Sequence, residues 1–441
     1  MTFRYIFPKM DEKILQNGLR IILVPDSTQD GAVAAMQMPF GRFCDPVGAE
    51  GTAELVVGMM QKGTRNLSSE AFSEKFEFRG AMLTANAGEE HTIFELRCLS
   101  SFLDELFPFF WDMIFCPAFE QNEYARYKKE VLTSLQAESV DPSFLANRHF
   151  YSELAGKQHP AGRFHSQDSI KRISSDDLKR FHKKYFGASG AVLVIAGNFD
   201  SQKFMQNHLQ LLQDQNGKAE AVPVKAEPLS IPKSAFRLVD KPDLTQTTML
   251  IGHPVPGEDN EDRNVIAIAN YILGAGNFSS RLMARVRSEH GRTYSISSQI
   301  ASERHFGIFL VTTATQNETA GEVFSTIKQE YEKFCSSGIT QNELDKAKRF
   351  AIGNIAFQLE GIANVVEKLL WLRFYGHDNS YIEQFDRKVE ELTVERVNEV
   401  IRRYFSARNL VTVMVGRKSE IRNQIGPLFS DIKDFYYRDL V

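Results

Sequence analysis

Cysteine is scarce in this chain, with four among 441 residues. Cys44, Cys98, Cys116 and Cys335 stand far apart and form no CxxC pair, which excludes a disulfide scaffold and a cysteine-bound metal. The ten histidines form no HxxxH or HExxH pair, and His159-Pro160 with His165 reads as a loop rather than a metal site. An excess of one charge is also missing. Lys plus Arg total 52 against 56 Asp plus Glu, giving a net charge of -4, and the signs are interspersed, so nothing here attracts a nucleic-acid backbone. No long apolar run occurs: the stretch from Phe102 to Phe119 is broken by Asp104, Glu105 and Asp112, and reads as a buried amphipathic helix rather than a membrane span. The opening residues lack the charged, apolar and small-residue regions of a secretory signal. Cytoplasm is the expected compartment, with periplasm the alternative if a signal has been removed. Gly274-Ala275-Gly276 is not followed by Gly-Lys-Ser/Thr, and Ser189 in Gly-Ala-Ser-Gly-Ala lacks the spacing of a nucleophile elbow, so neither a nucleotide loop nor a serine hydrolase is supported.

What is present is an ordinary globular composition, 43% hydrophobic and 24% charged, on a chain long enough for two or more domains. The chain also repeats itself. Residues 183–197 read KKYFGASGAVLVIAG and residues 402–416 read RRYFSARNLVTVMVG, so Tyr185, Phe186 and Gly197 match Tyr404, Phe405 and Gly416 at an offset of 219. Gln121-Asn122-Glu123 recurs as Gln341-Asn342-Glu343 at an offset of 220. Such a period is too long for a solenoid and implies a duplicated domain. In each copy a helix ends at the Tyr-Phe pair, a polar turn follows, and a β-branched apolar run reads as a strand. Ile173-Ser-Ser-Asp-Asp-Leu178 reads as a helix start. The expected fold is therefore α+β, with homologous domains at 1–213 and 234–441, each a largely antiparallel sheet packed with helices. Residues 214–233, rich in Pro, Gly and polar residues, read as a linker.

Residues 51–64, GTAELVVGMMQKGT, follow Gly41-Arg42-Phe43-Cys44-Asp45 and the strand pattern from Asn17 to Pro25. This frame resembles the N-terminal signature of peptidase family M16, which includes pitrilysin, insulinase and mitochondrial processing peptidase, and whose fold is a processing-peptidase-like metallohydrolase. In the family the frame carries HxxEH, two histidines on one helix face that bind zinc and a glutamate that polarises the zinc-bound water. Carried over position by position, the resemblance puts the first histidine at Glu54, the base at Val57 and the second histidine at Gly58. The third ligand falls near Ser134. All four positions are changed, so no catalytic zinc is expected in this chain. Asn86-Ala87-Gly88 lies where the family places an edge strand.

Residues 273–298, LGAGNFSSRLMARVRSEHGRTYSISS, resemble the family's C-terminal signature, including an Arg and a Tyr seven residues apart, here Arg287 and Tyr294. Taken alone, Arg287 would be a solvated helix arginine and Tyr294 a half-buried strand tyrosine. The resemblance makes them the pair that grips substrate and stabilises the oxyanion opposite the zinc. It implies the non-catalytic subunit of a heterodimeric zinc metallopeptidase that hydrolyses peptides or unfolded polypeptides, with the zinc in an HxxEH partner chain. The alternatives are a non-enzymatic scaffold and a peptide-binding homodimer of the same fold.

Overall fold

The computed structural model describes residues 5–215, 219, 226–230, 233–288, 293–429 and 431–439. Most of the expected linker, 214–233, lies outside the described residues. Each half of the sequence supplies one six-stranded sheet. The first contains β1 (Asp11–Ile14), β2 (Arg20–Pro25), β3 (Gly31–Met38), β4 (Met82–Ala87), β5 (Thr92–Leu99) and β6 (Val192–Gly197), in the order β1-β2-β6-β3-β5-β4. The second contains β7 (Ala235–Asp240), β8 (Gln246–Val255), β9 (Thr293–Ser302), β10 (Gly307–Gln316), β11 (Val411–Gly416) and β12 (Lys433–Tyr436), in the order β12-β7-β11-β8-β10-β9. Five strands occupy equivalent places in both orders. Pairing is antiparallel except between β2 and β6, β7 and β11, and β7 and β12.

The repeated motifs fall where the sequence puts them. Helices Gln121–Glu138 and Gln341–Gln358 both start at the Gln-Asn-Glu tripeptide. Helices Ser175–Tyr185 and Val394–Tyr404 end at the shared tyrosine and lead into β6 and β11. The Ser174 side chain accepts from the Asp177 amide while Asp177 accepts from the Ser174 amide, a capping box that fixes the start of its helix. The matched Gly197 is needed sterically. Its φ of +135° is left-handed, and a Cβ there would collide with the Gly31 carbonyl and lie 2.7 Å from Ala32 Cα. The stretch 102–119 forms helix Leu103–Phe115, buried through Leu106, Phe107, Phe110, Trp111 and Ile114. Among the described residues no helix is long and apolar enough to cross a membrane.

The compact units do not coincide with the halves 1–213 and 234–441. The first unit takes residues 355–384 from the second half, and the second takes residues 136–163 from the first. The reason lies in the central strands. One face of the first sheet, with Ile21, Leu23, Ala34, Met36, Leu193 and Ile195, packs into the main core. Alternation sends Ile22, Val24, Val33, Ala35, Val194 and Ala196 to the other face, and they are buried as well. Helix Ile362–Phe374 covers that second face against β3 and β6, burying Val365, Val366, Leu369, Leu370 and Leu372. In the second unit helix Pro142–Ala155 does the same against β7, β8 and β11. There a Cβ on Gly252 would lie 2.9 Å from Phe150 Cζ. Both covering helices are also anchored by charge. Arg373 donates to Glu12 (2.8 Å), and Glu153 accepts from Arg237 (2.6 Å) and Lys433 (2.8 Å).

Leu369→Ala removes a fully buried side chain from the covering helix, and should lower unfolding free energy by about 2–5 kcal/mol in a denaturant titration that reads the first unit. His91 and His182 in the first unit and His149 and His253 in the second are each held down to about 4 by burial. Between the ordinary histidine value of 6.5 and about 4 the unfolded chain therefore binds more protons than the folded one, so stability falls as pH falls through that window. Each imidazole contributes up to about 1.4 kcal/mol per pH unit. Melting temperatures measured from pH 7 to pH 4 should drop steadily; a flat profile would contradict the burial of these rings.

Candidate functional site

Helix Thr52–Met60 in the first unit carries three of the four positions at which the family frame would hold zinc chemistry. Its start is fixed by Asp45, whose buried carboxylate accepts from the amides of Gly51 and Ala53, both at 2.7 Å. Burial pushes that carboxyl up to about 7 against the pull of the two amides. Along the helix, Val57 is buried in the apolar core. Glu54 is half-exposed, and its Oε2 lies 3.3 Å from His165 Nδ1. Gly58 faces helix Gln121–Glu138, and its place is occupied by Tyr127. A Cβ added to Gly58 would overlap the Tyr127 hydroxyl and lie 2.6 Å from its Cε1. The Lys62 ammonium sits over the same ring, 5.6 Å from its centre. Burial, reinforced by the charges of Glu54 and Glu130, pushes the Tyr127 phenol up to about 12, so it stays neutral at any physiological pH. Ser134, the fourth position, is exposed one helical face-repeat beyond Tyr127.

These residues do not fit zinc. A catalytic site needs three nitrogen, sulfur or carboxylate donors around an open position, whereas of the four signature positions only Glu54 carries such a donor, and an aromatic ring with a cation beside it stands where a second ligand would project. Among the described residues no group of three His, Cys, Asp or Glu is placed to hold a metal ion. The sequence marks Glu54, Val57, Gly58 and Ser134 as changed but passes over Tyr127. Its position seven residues before Ser134, hence on the same helix face, is the signal that would have found it.

The second unit holds the other signature. After helix Arg263–Asn270 the backbone winds through a π-type turn at Tyr271–Ala275 and a 3₁₀ turn at Asn277–Ser279 into a π-helical segment, Met283–Ser288, which carries Arg287. Tyr294 is the second residue of β9, an edge strand. The side chains of Arg287 and Tyr294 lie outside the described residues, as do residues 289–292 between them. The backbone that carries the pair is anchored at both ends. At the first, Arg281 donates to Glu343 through Nε (2.6 Å) and Nη2 (2.8 Å), and to the Gly338 carbonyl (2.7 Å). Although burial alone would raise the Glu343 carboxyl, Arg281 and Thr340 hold it down to about 2. At the second, Ile296 pairs with Thr313 and Thr293 with Thr315, so Tyr294 and Ser295 together face Ala314 alone, a β-bulge. The buried Thr313 hydroxyl donates to the Ser295 carbonyl (2.8 Å), and the Thr293 hydroxyl lies 2.8 Å from that of Thr313. Bulges of this kind re-aim a side chain and are common beside active sites, as are π-helical turns. Glu343 belongs to the repeated tripeptide, yet its partnership with Arg281, 62 residues away, is invisible in the sequence.

Comparison with known proteins gives a consistent picture. Residues 20–161 match the profile described as Insulinase (Peptidase family M16), and residues 172–350 match that of the Peptidase M16 inactive domain. A Helicobacter pylori protein named non-peptidase homolog YmxG is 25% identical over 377 residues, covering 84% of this chain and 85% of its own. The uncharacterized zinc protease YmxG of Bacillus subtilis is 22% identical over 396 residues, covering 89% and 94%. The crystal structure of a peptidase M16 inactive domain from Pseudomonas fluorescens aligns with a TM-score of 0.85 at 25% identity, covering 93% of this chain and 98% of that one. A Helicobacter pylori protease of the same TM-score, 19% identical and covered along 100% of its length, shares the fold.

The contact between Gly58 and Tyr127 has a sign that can be measured. Gly58→Ala should destabilise the chain by about 1–3 kcal/mol through overpacking. In a Tyr127→Ala background the same change should stabilise by up to about 1 kcal/mol, because alanine is the better helix former. Thermal or denaturant melts of the four chains decide it, and the absence of a sign reversal would refute the contact.

Proposed function

Because the chain belongs to peptidase family M16, we propose that it is the non-catalytic, substrate-gripping subunit of a two-chain zinc metallopeptidase. The observation that carries this reading is an asymmetry. The first unit has Glu54, Val57, Gly58 and Ser134 at the family's zinc-site positions, with Tyr127 seated on Gly58, while the second unit keeps the Arg and Tyr frame on a backbone pinned by Arg281–Glu343 and a threonine-clamped bulge. A chain with no zinc chemistry of its own has a catalytic use for an Arg and Tyr pair when a zinc centre is brought to it.

In this reading an HxxEH chain of the same family supplies zinc, its ligands and the general base. Arg287 and Tyr294 act on the substrate in trans. A guanidinium and a phenol are both hydrogen-bond donors, and each can hold the scissile carbonyl and the oxyanion that develops as hydroxide attacks it. The substrates are peptides or unfolded polypeptides. The Helicobacter pylori relative, a non-peptidase homolog by name, favours a second reading in which the fold serves assembly or peptide binding without hydrolysis.

The test is cleavage of a fluorogenic peptide by this chain alone, by an HxxEH chain from the same source alone, and by the mixture. Activity should appear only in the mixture. Arg287→Ala and Tyr294→Ala should each lower kcat by about 100-fold or more, the usual effect of losing one oxyanion donor. Indifference to both substitutions would move the assignment to the non-enzymatic reading.

A further inference from the structure

The first unit's zinc position has lost its ligands, but its geometry says more than that. We propose that Tyr127 is a plug: its ring, and not the missing ligands alone, closes the pocket, so that this chain refuses metal even when ligands are supplied. The ring lies directly against the helix at Gly58, where a Cβ of any residue would overlap the hydroxyl and sit 2.6 Å from Cε1. A histidine at 58 must begin with that Cβ, so imidazole and phenol compete for one volume. Tyr127 sits on an 18-residue helix, with the Lys62 ammonium over its ring and the charges of Glu54 and Glu130 acting on its phenol. Glu54 is itself engaged by His165 at 3.3 Å.

The surroundings act in the same direction. Zinc must approach within about 2.0–2.1 Å of an imidazole nitrogen, and the Lys62 charge beside the ring repels a dication entering there. Loss of ligands could be reversed by a few base changes; a filled pocket is a second and independent barrier. In a two-chain peptidase, a role that rests on the function proposed above, the plug confines zinc to the partner and prevents two competing metal centres in one assembly.

The experiment installs ligands with and without the plug. Glu54→His, Gly58→His and Ser134→Glu are combined in the full chain, with Tyr127 retained or changed to Ala. Zinc content and affinity are measured by calorimetry, and cobalt is added as a spectroscopic probe of tetrahedral coordination. The chain lacking Tyr127 should bind one zinc about 10- to 100-fold more tightly than the chain retaining it, the factor expected from relief of overpacking. If the chain with Tyr127 fails to fold and Tyr127→Ala rescues it, the same conflict is demonstrated. Equal zinc affinity in both chains overturns the proposal. So does failure of both to bind, or a misfolded chain that Tyr127→Ala does not rescue. The readout is metal on this chain alone, so a negative result leaves the two-chain reading standing, and a mixture without peptidase activity leaves the plug standing.

Discussion

The packing of one helix over the second face of each sheet is the constraint on which the rest of the structure depends. A strand such as Val192–Gly197, apolar at every position, cannot leave either face in water. Helices Ile362–Phe374 and Pro142–Ala155 meet that demand, each for the sheet built by the other half of the sequence. With both faces covered, the strands become rigid supports. Helix Thr52–Met60 packs in the core on one side of the first sheet, and edge strand β9 extends the second, so each signature segment stands on the sheet of its own unit.

On that frame the two signatures have diverged in opposite physical senses. In the first unit the signature positions serve packing: a buried valine, a glycine, and an aromatic ring seated on the glycine. In the second unit the polar interactions are kept for geometry. The fork of Arg281 on Glu343 and the threonine hydroxyls on the Ser295 carbonyl are partly buried, and they fix the backbone on either side of the signature segment.

The sequence makes the architecture legible wherever a signal is local or repeated. The offset of 219 to 220 residues between equivalent motifs correctly places paired strands at 192 and 411, the repeated tripeptide proves to start a helix in each copy, and the Ser and Asp residues after Ile173 identify a cap that the backbone forms. The exchange of covering helices is not legible. Residues 142–155 and 362–374 have the pattern of buried helices, but periodicity cannot say which sheet receives them. The only hint is the unbroken apolar character of 191–196, which demands a cover without naming it. Tyr127 was hidden for a related reason, since a tyrosine on an amphipathic helix gains meaning only beside Gly58. The bulge at Tyr294 depends on hydrogen bonds to Thr313, which no spacing rule reports.

The exchanged helices also set an order of events at the ribosome. The last strand of the first sheet is complete at Gly197, but the helix that covers its second face ends at Phe374, 177 residues later. At about 5–20 residues per second, the row of Val33, Ala35 and Val194 stays uncovered for roughly 9–35 seconds during each synthesis. Throughout that interval the nascent chain presents a flat apolar surface to its surroundings, so a holding chaperone acting during translation has its clearest target on the first sheet, and a pause near residue 200 is more hazardous to this chain than one near its end.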